Sequence, residues 1–551
     1  MMASRRTFLM AFALLSAATL AGNWNGLQCC VRRAFNEATT WNNRGYRGNG
    51  EHTDGFRELV ERHLSAKDSL YYCLRSRDGS LDPDERSTHI ALSWARSPLP
   101  VWFGGHDVPE DVSAVVVGRF LKRDFPGFWI ADENNSALLW LRDDQSYHDQ
   151  SSDGAQPPGA WREMAGVAIV CAMIALFVWW MLPRSKSCRS LLVPVLCVVV
   201  FFAFASALAL AHTFMAPTGL GVHGGKAKLF YLSGGIPNGF FVDKAFSSYQ
   251  PAYPPGLALL TLVAYMVAGG CGEWLTQLIP LFAATVTLWL AVRRGVGCGW
   301  LTLWITAAFL GEQTLQMATL HYAEPFVAML SLLGWIRLRE CRSDLVGWML
   351  LGSCGIFKAE GLVVVVAVWA ALGIGAVATA RRTCSGPVGE AVFKWVKWLV
   401  VASALPLTWH IGCRLAGGEF YDYAPIWEFD YGRLCTAAVY LLKIAFFEPW
   451  RYGFIYPIAM VIVLGAIVCR LGRRNAFPPV EMSAAALVAI ICLGAFAFVY
   501  SLSKAPDFSW HLWSSASRLL WVPSLFLLSE CPIAMVTRLG DAVAATDGNL
   551  V

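Results

Sequence analysis

Leu191-Leu192-Val193-Pro194-Val195-Leu196-Cys197-Val198-Val199-Val200-Phe201-Phe202-Ala203-Phe204-Ala205-Ser206-Ala207-Leu208-Ala209-Leu210-Ala211-His212 is the stretch that decides the fold class. It carries no Asp, Glu, Lys or Arg. About 20 apolar residues, wound as a helix rising 1.5 Å each, cover the roughly 30 Å of a bilayer's hydrocarbon core. Such a run reads as a membrane-spanning helix.

Similar stretches recur on either side. Spans are expected near 164–182, 191–212, 273–292, 299–317, 322–338, 345–359, 361–380, 394–413, 453–471, 482–503 and 516–531, with 7–22 as a twelfth. The composition agrees. Of 551 residues, 56% are hydrophobic and 15% charged, whereas soluble domains carry roughly 25% charged residues. That balance excludes a disordered, collagen-like or small disulfide-rich secreted chain and argues against an ordinary soluble enzyme.

The charge is unevenly spread. Residues 23–162 hold 16 Lys/Arg and 20 Asp/Glu, a net of −4, while all other positions together have a net of +9. The first block has the composition of a water-soluble domain. Elsewhere the basic residues fall in short connections: Arg5 and Arg6; Arg184, Lys186 and Arg189; Arg293 and Arg294; Arg337, Arg339 and Arg342; Arg381 and Arg382; Arg470, Arg473 and Arg474. All six groups lie on one side of the membrane if both termini are cytoplasmic, as expected when cytoplasmic loops hold the excess of Lys and Arg. Residues 23–162 and the connections 213–272, 414–452 and 504–515 are then extracytoplasmic, in a cell inner (plasma) membrane.

The expected domains are 1–22, a signal anchor or signal peptide; 23–162, an extracytoplasmic α/β domain with its linker; 163–534, the multi-span part; and 535–551, a cytoplasmic tail. Ser4-Arg5-Arg6-Thr7-Phe8-Leu9 fits either a twin-arginine export signal or an anchor with two flanking arginines. In the second block, helical spacing marks Phe56–Leu64 and Asp84–Trp94, and Ala114-Val115-Val116-Val117-Gly118 reads as a buried strand. Asp149–Gly159, with Pro157 and Pro158, reads as a linker. His52, His63, His89, His106 and His148 are scattered and read as surface residues. The 16 cysteines form no CxxC, and thirteen lie in or beside apolar spans, where Cys acts as a small hydrophobe.

Chemistry is expected in the outer connections. Residues 213–272 contain Thr218-Gly-Leu-Gly-Val-His-Gly-Gly-Lys-Ala-Lys228 and then Ser248-Tyr-Gln-Pro-Ala-Tyr-Pro-Pro-Gly256. An apolar helix, Gly256 to Ala268, should follow, lying flat in the interface or packed against the bundle. His321-Tyr322-Ala323-Glu324-Pro325 opens one span, and Phe357-Lys358-Ala359-Glu360-Gly361 joins two others. An ionisable side chain near hydrocarbon needs a partner or a function. Glu324 equally suits a helix N-terminus, and Lys358 and Glu360 equally form a simple pair. Lys226, Lys228, Lys244, Lys358, Arg451, Lys504 and Arg518 are basic residues on the outer side, against the charge rule. Clustered, such residues bind a lipid phosphate or pyrophosphate.

Lys226-Ala227-Lys228, Tyr253-Pro254-Pro255-Gly256, Tyr322-Ala323-Glu324, Lys358-Ala359-Glu360-Gly361 and Arg518-Leu519-Leu520-Trp521-Val522-Pro523 occur in that order. Over about 190–530 the chain resembles the GT-C-type polyprenyl-phosphate-sugar-dependent glycosyltransferases of the dolichyl-phosphate mannosyltransferase-like group. The resemblance implies an all-α polytopic membrane protein with about 11–12 transmembrane helices, alongside the small α/β domain near the N-terminus. It implies an inverting hexosyl transfer on the extracytoplasmic face, from a polyprenyl-phosphate-linked sugar to a glycan, lipid or protein acceptor. Nucleic acid has no part in it. No cofactor is expected, and the need for a divalent metal ion stays open.

The resemblance makes Asp243 or Glu324 the base. Lys226, Lys228, Lys358 and Arg518 would bind the phosphate. Tyr253, His321 and His511 would shape the sugar pocket, with Tyr322 and Glu360 completing the substrate-binding set. The sequence departs from the group at one place: where members often carry Trp-Asp before the Lys-Ala-Lys segment, it has Gly219-Leu220-Gly221-Val222-His223. A transporter or flippase for a lipid-linked sugar, or an inactive membrane scaffold of the same fold, are the alternative readings.

Overall fold

The computed structural model describes 14, 16–24 and 28, five strands between 70 and 142, and 192–547 except 212–218, 244–245, 247–248, 269–272, 295–298, 384–387, 419–427, 473–479 and 504–507. The expected span 164–182, the linker 149–159, the helices at 56–64 and 84–94, and Lys244 and Lys504 lie outside the described residues.

Strands β1 (Leu70–Cys73), β2 (Val101–Phe103), β3 (Ala114–Gly118), β4 (Phe128–Glu133) and β5 (Ala137–Arg142) form one sheet in the order β2-β1-β3-β5-β4. β3 is the apolar run 114–118. β1 pairs in parallel with both β2 and β3, with Leu70 opposite Val101 and Ala114. β3–β5 and β4–β5 are antiparallel, with an irregularity between Ile130 and Asp132. Parallel neighbours need a crossover of a dozen or more residues. The 74–100 connection between β1 and β2 has that length.

The remainder is helical: α1 (Leu192–Ala211), α2 (Lys226–Leu232), α3 (Gly256–Ala268), α4 (Glu273–Arg294), α5 (Gly299–Phe309), α6 (Glu312–Thr319), α7 (Glu324–Glu340), α8 (Leu345–Phe357), α9 (Gly361–Thr383), α10 (Val388–Leu415), α11 (Tyr431–Phe447), α12 (Ile455–Gly472), α13 (Val480–Ser501) and α14 (Phe508–Asp547). Among the described residues four stretches are long and apolar enough to cross a membrane: Leu192–Ala209, Thr276–Arg293, Trp395–Leu415 and Ala484–Ser501. Four shorter apolar helices accompany them: Gly256–Ala268, Leu345–Phe357, Gly361–Val377 and Ile455–Leu464. This is an all-α membrane-protein architecture.

Two expectations change in detail. The run 299–317 is broken at Leu310-Gly311 into α5 and α6, with Gly311 extended at the start of α6. The connection 414–452 contains α11. Its N-cap, Asp430, accepts the Arg433 N–H at 3.0 Å, and Ala437, Leu441, Ile444 and Ala445 form its buried stripe. The segment 16–24 is also helical, and its buried Asn23 donates to Thr19 O and to Trp450 O.

One core runs through the bundle, around the buried indoles of Trp289, Trp304, Trp335 and Trp348. The outside is apolar as well: Leu196 and Val199 on α1, Val263 and Met266 on α3, and Phe393 and Val400 on α10 are exposed. Such a surface suits hydrocarbon, where helices satisfy their own backbone hydrogen bonds. α3 buries Leu257, Thr261 and Tyr265 and exposes Leu259, Val263 and Val267, so it packs on the bundle and leaves an apolar face outward.

Two glycines set the position of the site. A Cβ on Gly361 would lie 2.4 Å from Cys354 O, so the corner from α8 into α9 closes only with glycine there. A Cβ on Gly256 would lie 2.8 Å from Ile356 O, so the start of α3 rests on the end of α8. The ends of α3, α8 and α9 therefore converge beside Lys358.

Candidate functional site

Glu324 is the first residue of α7, and Pro325 follows it in the first turn. Its Oε1 accepts from Lys358 Nζ at 2.8 Å and from Arg518 Nη1 at 2.9 Å. Lys358 caps the C-terminus of α8, and Arg518 lies on α14. Three segments far apart in sequence thus meet on one carboxylate that is only 2% exposed. Glu360 Oε1 stands 4.0 Å from Lys358 Nζ, and the Arg518 guanidinium lies over the Tyr322 ring at 4.5 Å. Cations over an aromatic face gain most where water is excluded.

A second group adjoins the first. His223 lies in a π-helical turn, Gly219–Gly225, that runs directly into α2 and packs against α2 and α3. Its ring meets Tyr253 edge-on at 5.6 Å and His321 at 6.2 Å. His321 is pinned on both sides: its Nδ1 bonds Thr276 O, and its Nε2 is 3.3 Å from Thr261 Oγ1. A carbonyl only accepts, so Nδ1 carries the proton. Lys226 is wholly buried and donates to the carbonyls of Gln250 at 3.1 Å and Tyr253 at 3.0 Å. The charges of His321, Lys226, Glu324 and Lys358 all act on His223, which joins the two groups into one cluster.

His511 extends the site along α14. Its Nδ1 is 2.7 Å from Ser503 Oγ, its ring is 5.5 Å from Tyr500, and the charges of Glu360, Lys358 and Arg518 act on it. The structure therefore gathers Lys226, Tyr253, His321, Tyr322, Glu324, Lys358, Glu360, His511 and Arg518. None of these contacts involves the other two expected residues. Lys228 is half-buried on α2, two positions from Lys226 and so on another face. Asp243 is half-buried in the turn after Gly239, where its N–H bonds Gly239 O. His223, Tyr500, Ser503, Thr261 and Thr276 enter the site without having been expected there. A signal existed for His223: it is the only ionisable residue in its glycine-rich run.

The local backbone is strained where it serves the cluster. Gln250 (φ 47°) and His321 (φ 59°) adopt the left-handed region, which costs a non-glycine residue about 1 kcal/mol. The first turns its carbonyl toward Lys226, and the second places its ring between Thr261 and Thr276.

Electrostatically the site holds two full cations, Lys358 and Arg518, and the Lys226 amine, against two carboxylates, Glu324 and Glu360. Both carboxylates lie at Lys358. Among the described residues no carboxylate lies within ion-pair distance of Lys226. Burial pulls the Lys226 amine down to about 7, and burial likewise depresses His321 to about 4 and His223 well below the usual imidazole value, His223 being further lowered by His321 and Lys226. The uncompensated Lys226 amine suits an anion, whose charge would hold its proton.

Lys226 also gives a pH test. Its folded value, about 7, lies below its ordinary 10.5, so between those limits the unfolded chain holds the extra proton. The resulting penalty on folding is full below about 7 and fades as pH rises toward 10.5. Thermal unfolding in detergent should therefore show wild type gaining stability relative to Lys226→Met between pH 7 and 10. Parallel curves would mean that Lys226 is charged in the folded protein.

No protein-family model, no curated protein and no solved structure matches this chain.

Proposed function

We propose that this cluster is the catalytic site of an integral-membrane glycosyltransferase that moves a sugar from a polyprenyl phosphate to an acceptor hydroxyl. The observation that carries the reading is the convergence of five separated motifs, from Lys226 to Arg518, on one buried cluster in which the Lys226 amine has no carboxylate partner among the described residues. α3 starts at this cluster and presents an apolar outer face suited to an isoprenoid tail.

In this reading the acceptor oxygen attacks the anomeric carbon opposite the phosphate. The carbon–oxygen bond to phosphate breaks, and its electron pair leaves with the polyprenyl phosphate. The configuration at carbon inverts. Lys226, Lys358 and Arg518 stabilise the charge that grows on the phosphate, in a site where a low dielectric strengthens such contacts. The acceptor's proton needs a base. Glu324 would first have to release both cations, and Asp243 would have to reach the cluster from its turn. The five-stranded sheet belongs, in this proposal, to a small extracytoplasmic α/β domain on the face where transfer occurs. The membrane is the plasma membrane, and the acceptor is an envelope glycan, lipid or protein.

The test is transfer in proteoliposomes. Purified protein is given radiolabelled polyprenyl-phosphate hexoses and an envelope acceptor extract. Label should leave the donor and polyprenyl phosphate should accumulate. Donor crossing the bilayer intact would support the carrier reading instead, and inert donor throughout would leave a scaffold.

A further inference from the structure

We infer that His223 is the proton acceptor of this site; the inference rests on the transferase reading above. It starts from an orphan. Nδ1 of His223 is the one buried imidazole nitrogen without a hydrogen-bond partner among the described residues, and the side chain is only 1% exposed. A buried polar atom left unpaired costs about 1–3 kcal/mol, so native proteins seldom keep one without a use.

Three other candidate bases of the cluster are engaged. Glu324 Oε1 holds two cations. His321 has Thr276 on one ring nitrogen and Thr261 on the other. His511 Nδ1 is bonded to Ser503. His223 instead has a nitrogen unclaimed, and it stands among Tyr253, His321 and Lys226.

The charges around it suit the task. Burial, His321, Lys226 and Lys358 disfavour the imidazolium and Glu324 favours it, leaving a neutral ring that accepts. As the donor bond breaks, negative charge builds on the phosphate held by Lys226 and Lys358, and the ring's affinity for a proton rises at that moment. The balance is simple: the acceptor's O–H bond breaks, its proton passes to Nδ1, and its oxygen forms the new glycosidic bond. The electron pair of the old bond leaves on the phosphate, and the imidazolium later returns the proton to water.

The backbone permits the approach this needs. His223 sits in the turn Gly-Leu-Gly-Val-His-Gly-Gly, a π-helix, a geometry frequent at functional sites. Four glycines in seven residues leave the turn free to adjust its φ and ψ as the acceptor reaches the ring.

The experiment compares wild type, His223→Gln and His223→Asp in the proteoliposome assay, using whichever polyprenyl-phosphate hexose supports wild-type turnover. His223→Gln should lower kcat on the order of 10²- to 10⁴-fold with donor KM changed less than about threefold. The acid limb of the wild-type pH profile, where His223 becomes protonated, should vanish. His223→Asp should recover part of the lost kcat, and it carries the test if the Gln variant does not stay folded on size exclusion. A Gln variant within about threefold of wild-type kcat, or one that keeps the acid limb, overturns the assignment while the transferase reading stands. If the Asp variant alone is folded, kcat no better than the background of donor hydrolysis overturns it. Absence of wild-type transfer from every donor overturns both.

Discussion

Glu324→Gln is expected to lower the unfolding free energy by about 3–5 kcal/mol and to abolish sugar transfer. Glutamine keeps the shape and removes the charge. Lys358 and Arg518 stay behind, their side chains 7% and 14% exposed, each facing an amide where it had a carboxylate. Removing one partner of a buried ion pair costs this much because the other charge is left uncompensated in low dielectric, and here two are left. Glu360, 4.0 Å from Lys358, offsets part of the loss. The measurement is thermal and chemical unfolding in detergent beside transfer in proteoliposomes. Glu324→Gln/Lys358→Met should regain stability relative to Glu324→Gln alone, since the stranded amine is gone. The double-mutant cycle then isolates the pair. A single variant that unfolds within about 0.5 kcal/mol of wild type would show that the three charges are not coupled in solution.

The helices were legible where length and apolarity alone decide. α1 coincides with the uncharged stretch 191–212, and α3 begins and ends at its expected residues, because Pro254-Pro255 start it and Gly269-Gly270 follow it. α11 was not legible as an apolar run, since Arg433, Thr436 and Lys443 interrupt it. Its signal was finer: the capping Asp430, then Leu434, Ala437, Leu441 and Ile444 at helical spacing. The break at Leu310-Gly311 shows the limit of run length as a criterion. The first half is apolar and the second, Glu312–Thr319, is mixed, and the interruption is made by a single extended glycine against Asn23, a residue far away in sequence.

The site residues were legible one at a time, not as a constellation. Lys358 beside Glu360 reads from sequence as a local pair, yet Lys358's closer partner is Glu324, 34 residues away. Arg518 reads as a helix-end arginine, yet it closes on the same carboxylate across 194 residues. Such convergence depends on helix packing, and here on Gly256 and Gly361, whose missing Cβ atoms bring three helix ends within reach. His223 lay in plain view among its glycines. What the sequence did not reveal is that Glu324, His321 and His511 are held by partners of their own while Nδ1 of His223 is not.

Glu530→Gln should separate stability from chemistry in the same two helices. α7 and α14 are tied by ion pairs at two levels, with the charges exchanged. Glu324 of α7 meets Arg518 of α14 at 2.9 Å, and Arg339 of α7 meets Glu530 of α14 at 2.8 Å. The pairs occur in the same order along both helices, so the helices run parallel. The ties are 15 residues apart on α7 and 12 on α14, about 22 and 18 Å at 1.5 Å per residue. Like-charged contacts would result if the α7 pair were shifted to the other level, so the exchanged polarity fixes one register. Trp335 Nε1 also donates to Glu530 at 2.9 Å, a bond that the glutamine oxygen keeps. Arg339 is a quarter exposed, so water screens part of the stranded charge, and the expected loss is about 2 kcal/mol, below that at Glu324. None of the groups that touch the cluster changes. Well below its unfolding temperature the variant should therefore transfer sugar at the wild-type rate per folded molecule, whereas Glu324→Gln should be inactive even where it is folded. Loss of transfer in a folded Glu530→Gln protein would mean that the distant pair sets the position of Arg518, and that the register of α14 against α7 is itself part of the catalytic geometry.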